Sequence, residues 1–319
     1  MSFGLRAAII RPDSDMRTYR YHRVDVFTDR AFGGNPLAVF PEAEGLDSDE
    51  MQAIAREMNL SETVFVLPPT DPEADIRLRI FTVDRELPLA GHPVVGAHFV
   101  LALTGRYELE REITLIRGQL AAGVLPVEIL TEEGQVRSVV MTQNLPSLSE
   151  RITDRSLVGR ALGLTEECLE VGDLLPRVVD TGIPWLIIPL RDLRSIRSVK
   201  SNPEACHELA ELVGTDMFYA FTQETEDPGC AVRARHVWFG TVTPGEDPVT
   251  GSAAGCLASY LVTEGVLLAA PVAEAWIEQG VDVGRPGKVQ ALVDVEGGEI
   301  RQVCVGGCAV HMGDGEITF

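Results

Sequence analysis

Three ionisable side chains stand in short motifs suited to moving a proton. Glu62 lies in Asn59-Leu60-Ser61-Glu62-Thr63-Val64-Phe65, between a helix end and an apolar strand. His92 directly follows Gly91, and Asp247 stands four residues before Gly251. A carboxylate is a weak base in water, but burial disfavours its charged form and raises its pKa towards the operating pH. Singly, each residue has a plainer explanation as a cap or a surface charge. Together they make an acid/base set, because an internal repeat places His92 and Asp247 at equivalent helix entrances.

The repeat is explicit. Glu86-Leu87-Pro88-Leu89-Ala90-Gly91 matches Glu246-Asp247-Pro248-Val249-Thr250-Gly251. Each copy opens a run that is apolar almost all round, residues 94–103 and 253–262, and each run stops at a glycine, Gly105 or Gly265. A helix apolar on every side belongs inside a protein, and glycine is the usual residue beyond its end. Gly34-Asn35-Pro36-Leu37 likewise resembles Gly182-Ile183-Pro184-Trp185, each leading into an apolar strand. A helix capped at Asp47 or Ser48 has its counterpart in one over 202–213, followed by a strand at Phe218-Tyr219. Two such units mean a duplicated domain rather than a solenoid. Each unit is expected to be a set of short, mostly antiparallel strands around one buried helix. The divisions are a tail over 1–17, a first domain over 18–146 and a second over 147–319, whose last strand is free to return to the first.

Two facing domains form a cleft, and two helix starts would point into it. Unpaired N–H groups and the positive end of the helix dipole bind anions there. Gly91-His92 and Gly251-Ser252 leave the backbone open to a ligand at those starts. The expected ligand is a small carboxylate.

Composition bounds the rest. Hydrophobic residues are 45% of the 319, enough for a real core. The net charge of -21 repels phosphate backbones, so nucleic acid is not an expected partner. No apolar run is long enough for a membrane span. The six cysteines are scattered and read as reduced thiols of a cytoplasmic protein. Cys304 and Cys308 with His311 could be taken for metal ligands, but Val303–Val310 reads better as one strand with a glycine bulge. The only lysines, Lys200 and Lys288, sit among turn-forming residues, which argues against a pyridoxal Schiff base. With no phosphate-binding loop or dinucleotide glycine pattern, no cofactor and no metal are expected.

Gly-Asn-Pro-Leu-Ala-Val-Phe, Asn-Leu-Ser-Glu-Thr-Val-Phe, Arg-Ile-Phe-Thr, Glu-Leu-Pro-Leu-Ala-Gly-His-Pro and Glu-Asp-Pro-Val-Thr-Gly-Ser-Ala resemble, in order, the signature segments of the phenazine-biosynthesis PhzF-like family. The resemblance implies an α+β diaminopimelate-epimerase-like fold: two pseudo-symmetric domains, each a curled sheet around a central helix. It also implies a homodimer and a cofactor-independent isomerase acting on a carboxylate such as trans-2,3-dihydro-3-hydroxyanthranilate. By motif match Glu62 would be the acid/base, His92 and Asp247 its companions, and Ser61, Gly91, Gly251 and Ser252 would hold the substrate. Val94 stands where the family often has threonine. The related epimerases keep a cysteine before each glycine; here the positions hold Ala90 and Thr250, so a thiol pair is not expected and Cys256 reads as helix packing. The alternatives are an epimerase or racemase with Glu62 and Asp247 as opposed bases, and a non-catalytic carboxylate binder.

Overall fold

The structure is a computed structural model that describes residues 16–109, 111–240, 245–268 and 271–319. The expected tail therefore lies outside the described residues, except Met16 and Arg17. The first half contains β1 (Thr18–Val26), β2 (Asn35–Phe40), α1 (Ser48–Met58), β3 (Glu62–Leu67), β4 (Ile76–Phe81), β5 (Glu86–Leu87), α2 (Gly91–Leu103), β6 (Ile113–Leu120), β7 (Gly123–Glu132) and β8 (Gln135–Gln143). The second contains β9 (Ser147–Leu148), α3 (Arg155–Leu162), β10 (Arg177–Asp180), β11 (Pro184–Pro189), α4 (Leu193–Arg197), α5 (Pro203–Val213), β12 (Phe218–Thr222), β13 (Val232–His236), α6 (Gly251–Thr263), β14 (Val272–Gln279), β15 (Gly287–Glu296), β16 (Glu299–Gly307) and β17 (Ala309–Thr318).

The strand pairing repeats as the sequence does. β2 and β3 run parallel, as do β11 and β12; β4 and β6 run parallel, as do β13 and β14. The other pairings between named strands are antiparallel. The capped helices match too: Asp47 forms a capping box with Glu50 ahead of α1, and Asn202 caps α5. Each satisfies backbone N–H groups that the first turn leaves orphaned.

α2 and α6 are the central helices. Val94, Val95, Ala97 and Val100 in α2, and Ala253, Ala254, Leu257 and Leu261 in α6, are all fully buried. Burying one such branched side chain contributes about 1.5–3 kcal/mol, so these all-round apolar helices organise the core rather than line its edge. Phe99 is half-buried and Leu103, at the end of α2, is exposed. Gly105 and Gly265 end the two helices in the left-handed region at φ +75° and +72°, where a Cβ would be strained. No helix among the described residues is long and apolar enough to cross a membrane.

β8 and β16 form the antiparallel seam between the halves, its register centred on Met141 opposite Val305. Beyond the seam the second half sends its last strand back to the first, where β17 pairs with β1, while β9 pairs with β10 within the second half. The single strand expected through Cys304 and Cys308 is thus two strands meeting at Cys308. The Cys308 carbonyl accepts from the Phe27 amide at 2.8 Å, which fixes the corner where the chain leaves the seam strand β16 to pair with β1. Glycine is required beside it, since a Cβ on Gly306 would stand 2.6 Å from the Val139 carbonyl oxygen. Gly306→Ala is therefore expected to destabilise the protein by about 1–3 kcal/mol, read as a lower denaturant midpoint. An unchanged midpoint would mean that the seam is not close-packed.

Candidate active site

The starts of α2 and α6 meet. A Cβ built on Gly91 would stand 3.1 Å from the Gly251 Cα, and one on Gly251 would stand 3.0 Å from the Phe27 ring. Only glycine allows this approach. Neither start is capped by a side chain, because Ala90 and Thr250 make no side-chain cap hydrogen bond, and neither first turn holds an acidic residue. Two positive dipole ends therefore converge on one cavity of about 340 Å³, room enough for a small ring compound.

Glu62, the first residue of β3, lies opposite Leu37 in the parallel β2 ladder and lines the cavity with His92, the second residue of α2. His92 Nε2 is 3.2 Å from Glu62 Oε2, yet both atoms are buried and neither has a hydrogen-bond partner. An unsatisfied buried polar atom costs about 1–3 kcal/mol, so a ligand able to bond with these atoms gains that much. Asp247 lines the cavity from the other half and is fully engaged: Asn35 donates to Oδ1 at 2.7 Å, and the Thr250 hydroxyl donates to Oδ2 at 2.6 Å. The Asp247 amide in turn donates to His236 Nδ1 at 2.9 Å.

Asn35 ties the halves together. Its amide nitrogen faces Asp247 Oδ1, the Val249 carbonyl at 3.0 Å and His92 Nδ1 at 3.2 Å. Its two N–H protons serve the nearer acceptors, Asp247 and Val249. Gln279 steadies the same loop, donating to the Asp247 carbonyl at 2.9 Å and accepting from the Thr250 amide at 2.9 Å.

Burial sets the charges. Removal from water, and then the neighbouring Asp247 charge, hold the Glu62 carboxyl well above the usual carboxylate range. Asp247 is pushed up to about 6 by burial, against the pull of its bonds from Thr250 and Asn35. Burial lowers His92 to about 3, so the imidazole is neutral and polarises without carrying charge. The Cys256 thiol is pushed up to about 12 by burial, in keeping with a packing role.

Six of the seven residues singled out from the sequence come together here: Glu62, Gly91, His92, Asp247, Gly251 and Ser252 all line the cavity. The Ser252 hydroxyl accepts from Trp185 Nε1 at 3.2 Å. Ser61 is half-buried and is not among the lining residues. Ser61 lies in the bend that precedes β3, outside the strand that carries Glu62 into the cavity. Asn35, Thr250, His236 and Gln279 were missed. Asn35 stands within the Gly-Asn-Pro-Leu segment, which reads in sequence only as the lead into an apolar strand. Thr250 read only as the absence of a cysteine.

Comparison with known proteins identifies the family and the fold. The family model described as phenazine biosynthesis-like protein matches residues 24–315. An uncharacterised isomerase of Mesorhizobium japonicum is 36% identical over 95% of this chain and 99% of the relative. The trans-2,3-dihydro-3-hydroxyanthranilate isomerase of Pseudomonas fluorescens is 33% identical over 94% of this chain and 100% of that protein. The crystal structure of a Bacillus anthracis phenazine biosynthesis protein of the PhzF family superposes with a TM-score of 0.84 at 30% identity, covering 94% of this chain and 99% of the other. A hydroxyproline epimerase from Agrobacterium vitis shares the fold, with a TM-score of 0.62 at 16% identity, over 95% of this chain and 93% of the other. Built on the diaminopimelate-epimerase-like fold, this chain belongs to the phenazine biosynthesis-like, or PhzF, family and is an isomerase.

Proposed function

We propose that this isomerase shifts a proton along a small cyclic, unsaturated carboxylate resembling trans-2,3-dihydro-3-hydroxyanthranilate, with Glu62 removing and returning the proton. One observation carries the reading: the buried, unpartnered Glu62 carboxyl opens into the same cavity as both uncapped helix starts. The substrate carboxylate docks on the backbone N–H groups of those starts, which places its carbon skeleton against Glu62. Ionised Glu62 takes a proton from the saturated carbon. The electron pair moves through the conjugated double bonds towards the carboxylate, where the helix starts stabilise the gathering charge. Glu62 then delivers the proton to the far carbon of the same system. Double bonds change place, and no electrons leave.

Burial makes Glu62 a far stronger base than a carboxylate in water, which narrows the gap to a carbon acid. His92 Nε2 stands 3.2 Å from the carboxyl, near enough for a ring N–H to steady the charge once the two groups align. Asp247 is poorly placed as an opposed second base, because both its oxygens already accept hydrogen bonds. That argues for one proton carrier rather than a two-base epimerase.

Glu62→Gln keeps the shape and removes the base. Turnover is expected to fall at least about a hundredfold, while binding of an amino-benzoate or diene carboxylate changes little. Wild-type enzyme in deuterated water exchanges substrate hydrogen; a mere binder does not. Turnover of Glu62→Gln within about tenfold of wild type would place the base elsewhere, with Asp247 the first suspect.

The raised pKa of Asp247 has a thermodynamic signature. Between the ordinary carboxylate value and about 6, the folded state holds a proton that the unfolded state has lost. The contribution of Asp247 to stability therefore falls as pH rises through that window. Asp247→Asn should gain stability relative to wild type as pH rises from about 4 to about 7, followed by urea midpoints at each pH. A relative loss over the same range would contradict the burial account.

A further inference from the structure

β1 and β17 carry a second group of side chains with a common focus, none of them lining the catalytic cavity. His22 Nδ1 lies 2.6 Å from Asp314 Oδ1, His311 Nε2 lies 2.9 Å from the same oxygen, and the two ring nitrogens are 3.4 Å apart. Among the described residues, this is the one cluster of histidine, cysteine and carboxylate side chains with ligand atoms close enough for a shared ion. Cys304 and Cys308, considered with His311 on sequence grounds, are not part of it.

The backbone is shaped to make this cluster. His22 stands directly opposite Asp314 in the ladder, so their side chains share a face. His311 precedes Asp314 by three residues, which on a regular strand would put it on the other face. A bulge corrects this. Arg23 pairs with Gly313 and Val24 with His311, leaving Met312 without a partner. The extra residue turns His311 onto the face of His22 and Asp314, the re-aiming that bulges characteristically perform. Gly313 absorbs the irregularity at φ +154°, a conformation that side chains disfavour.

We propose that His22, His311 and Asp314 form a divalent transition-metal site that staples the C-terminal strand β17 to β1. Two imidazoles and one carboxylate suit zinc and its neighbours cobalt and nickel, rather than magnesium or calcium, which prefer all-oxygen sets. Around a tetrahedral zinc the ligand atoms stand about 3.3 Å apart. The 3.4 Å between the ring nitrogens fits this spacing. The Asp314 oxygen must move outward by about half an ångström, and its side chain, 64% exposed, is free to do so. His22 and Asp314 also border a surface groove of about 730 Å³, so a hydrated ion has access and water can fill the fourth position. The acidic background of the chain, -21 overall, draws cations towards it. A staple here acts where it matters, because β17 is the strand that returns from the second half to close the first sheet.

The test uses the full chain without a histidine tag. Zinc is titrated calorimetrically, cobalt by visible absorption, and magnesium serves as control. The expected result is one zinc per chain, a tetrahedral cobalt spectrum and no magnesium binding. His22→Gln and His311→Gln should each weaken zinc by at least about tenfold, with turnover unchanged. Zinc should also slow amide exchange along β17 in the wild type and not in the variants. Asp314→Asn, altering a largely exposed side chain, repeats the test should either histidine variant fold poorly. No zinc binding, or zinc binding undiminished in all three variants, would overturn the proposal.

Discussion

Two helices begin against each other, glycine to glycine, and much of the architecture is what that contact demands. A helix start leaves several N–H groups without partners, and no capping side chain serves either one here. Bringing two such ends to Gly91 and Gly251 concentrates positive potential in one place. It also requires each helix to be sheathed in its own sheet, which explains why α2 and α6 are apolar all round. The seam between β8 and β16 and the return of β17 to β1 then hold the halves in the one relation that keeps the helix starts together.

The same contact explains how a chain of charge -21 can receive an anion. Peptide dipoles fixed by buried helices provide the attraction, and they do not depend on surface charge. They also add no proton donor of their own, so the titrating groups in the cavity are set by burial. Desolvation and then Asp247 raise the pKa of Glu62, while the rise at Asp247 is tempered by Thr250 and Asn35. Two carboxylates in one cavity thus have distinct roles: one keeps a free oxygen, the other has none.

Periodicity and repetition made the framework legible. The all-round apolar runs, the paired Glu-x-Pro-x-x-Gly segments and the terminal glycines led to two central helices meeting at a cleft, and Glu62, His92 and Asp247 do line it. Features made by pairing over long sequence distances were not legible. Asn35 bonds to Asp247 across 212 residues, and nothing in its local motif distinguishes that duty from a turn. The corner at Cys308 looks in sequence like one bulged strand, since strand propensity does not record which sheet a strand joins. His22 and His311 come together only through a bulge at Met312, whose register depends on the whole β1–β17 ladder. Ser61 shows the converse: a motif neighbour of Glu62 need not line the same cavity.

The central claim is that the two helix starts hold the substrate carboxylate and so present its carbons to Glu62. A crystal structure with bound 2-aminobenzoate tests it most directly. The predicted result has the ligand carboxylate accepting hydrogen bonds from backbone N–H groups at both Gly91-His92 and Gly251-Ser252, with the ring edge facing Glu62 and His92. A carboxylate held instead by Arg85 at the rim, with neither helix start engaged, would contradict the account.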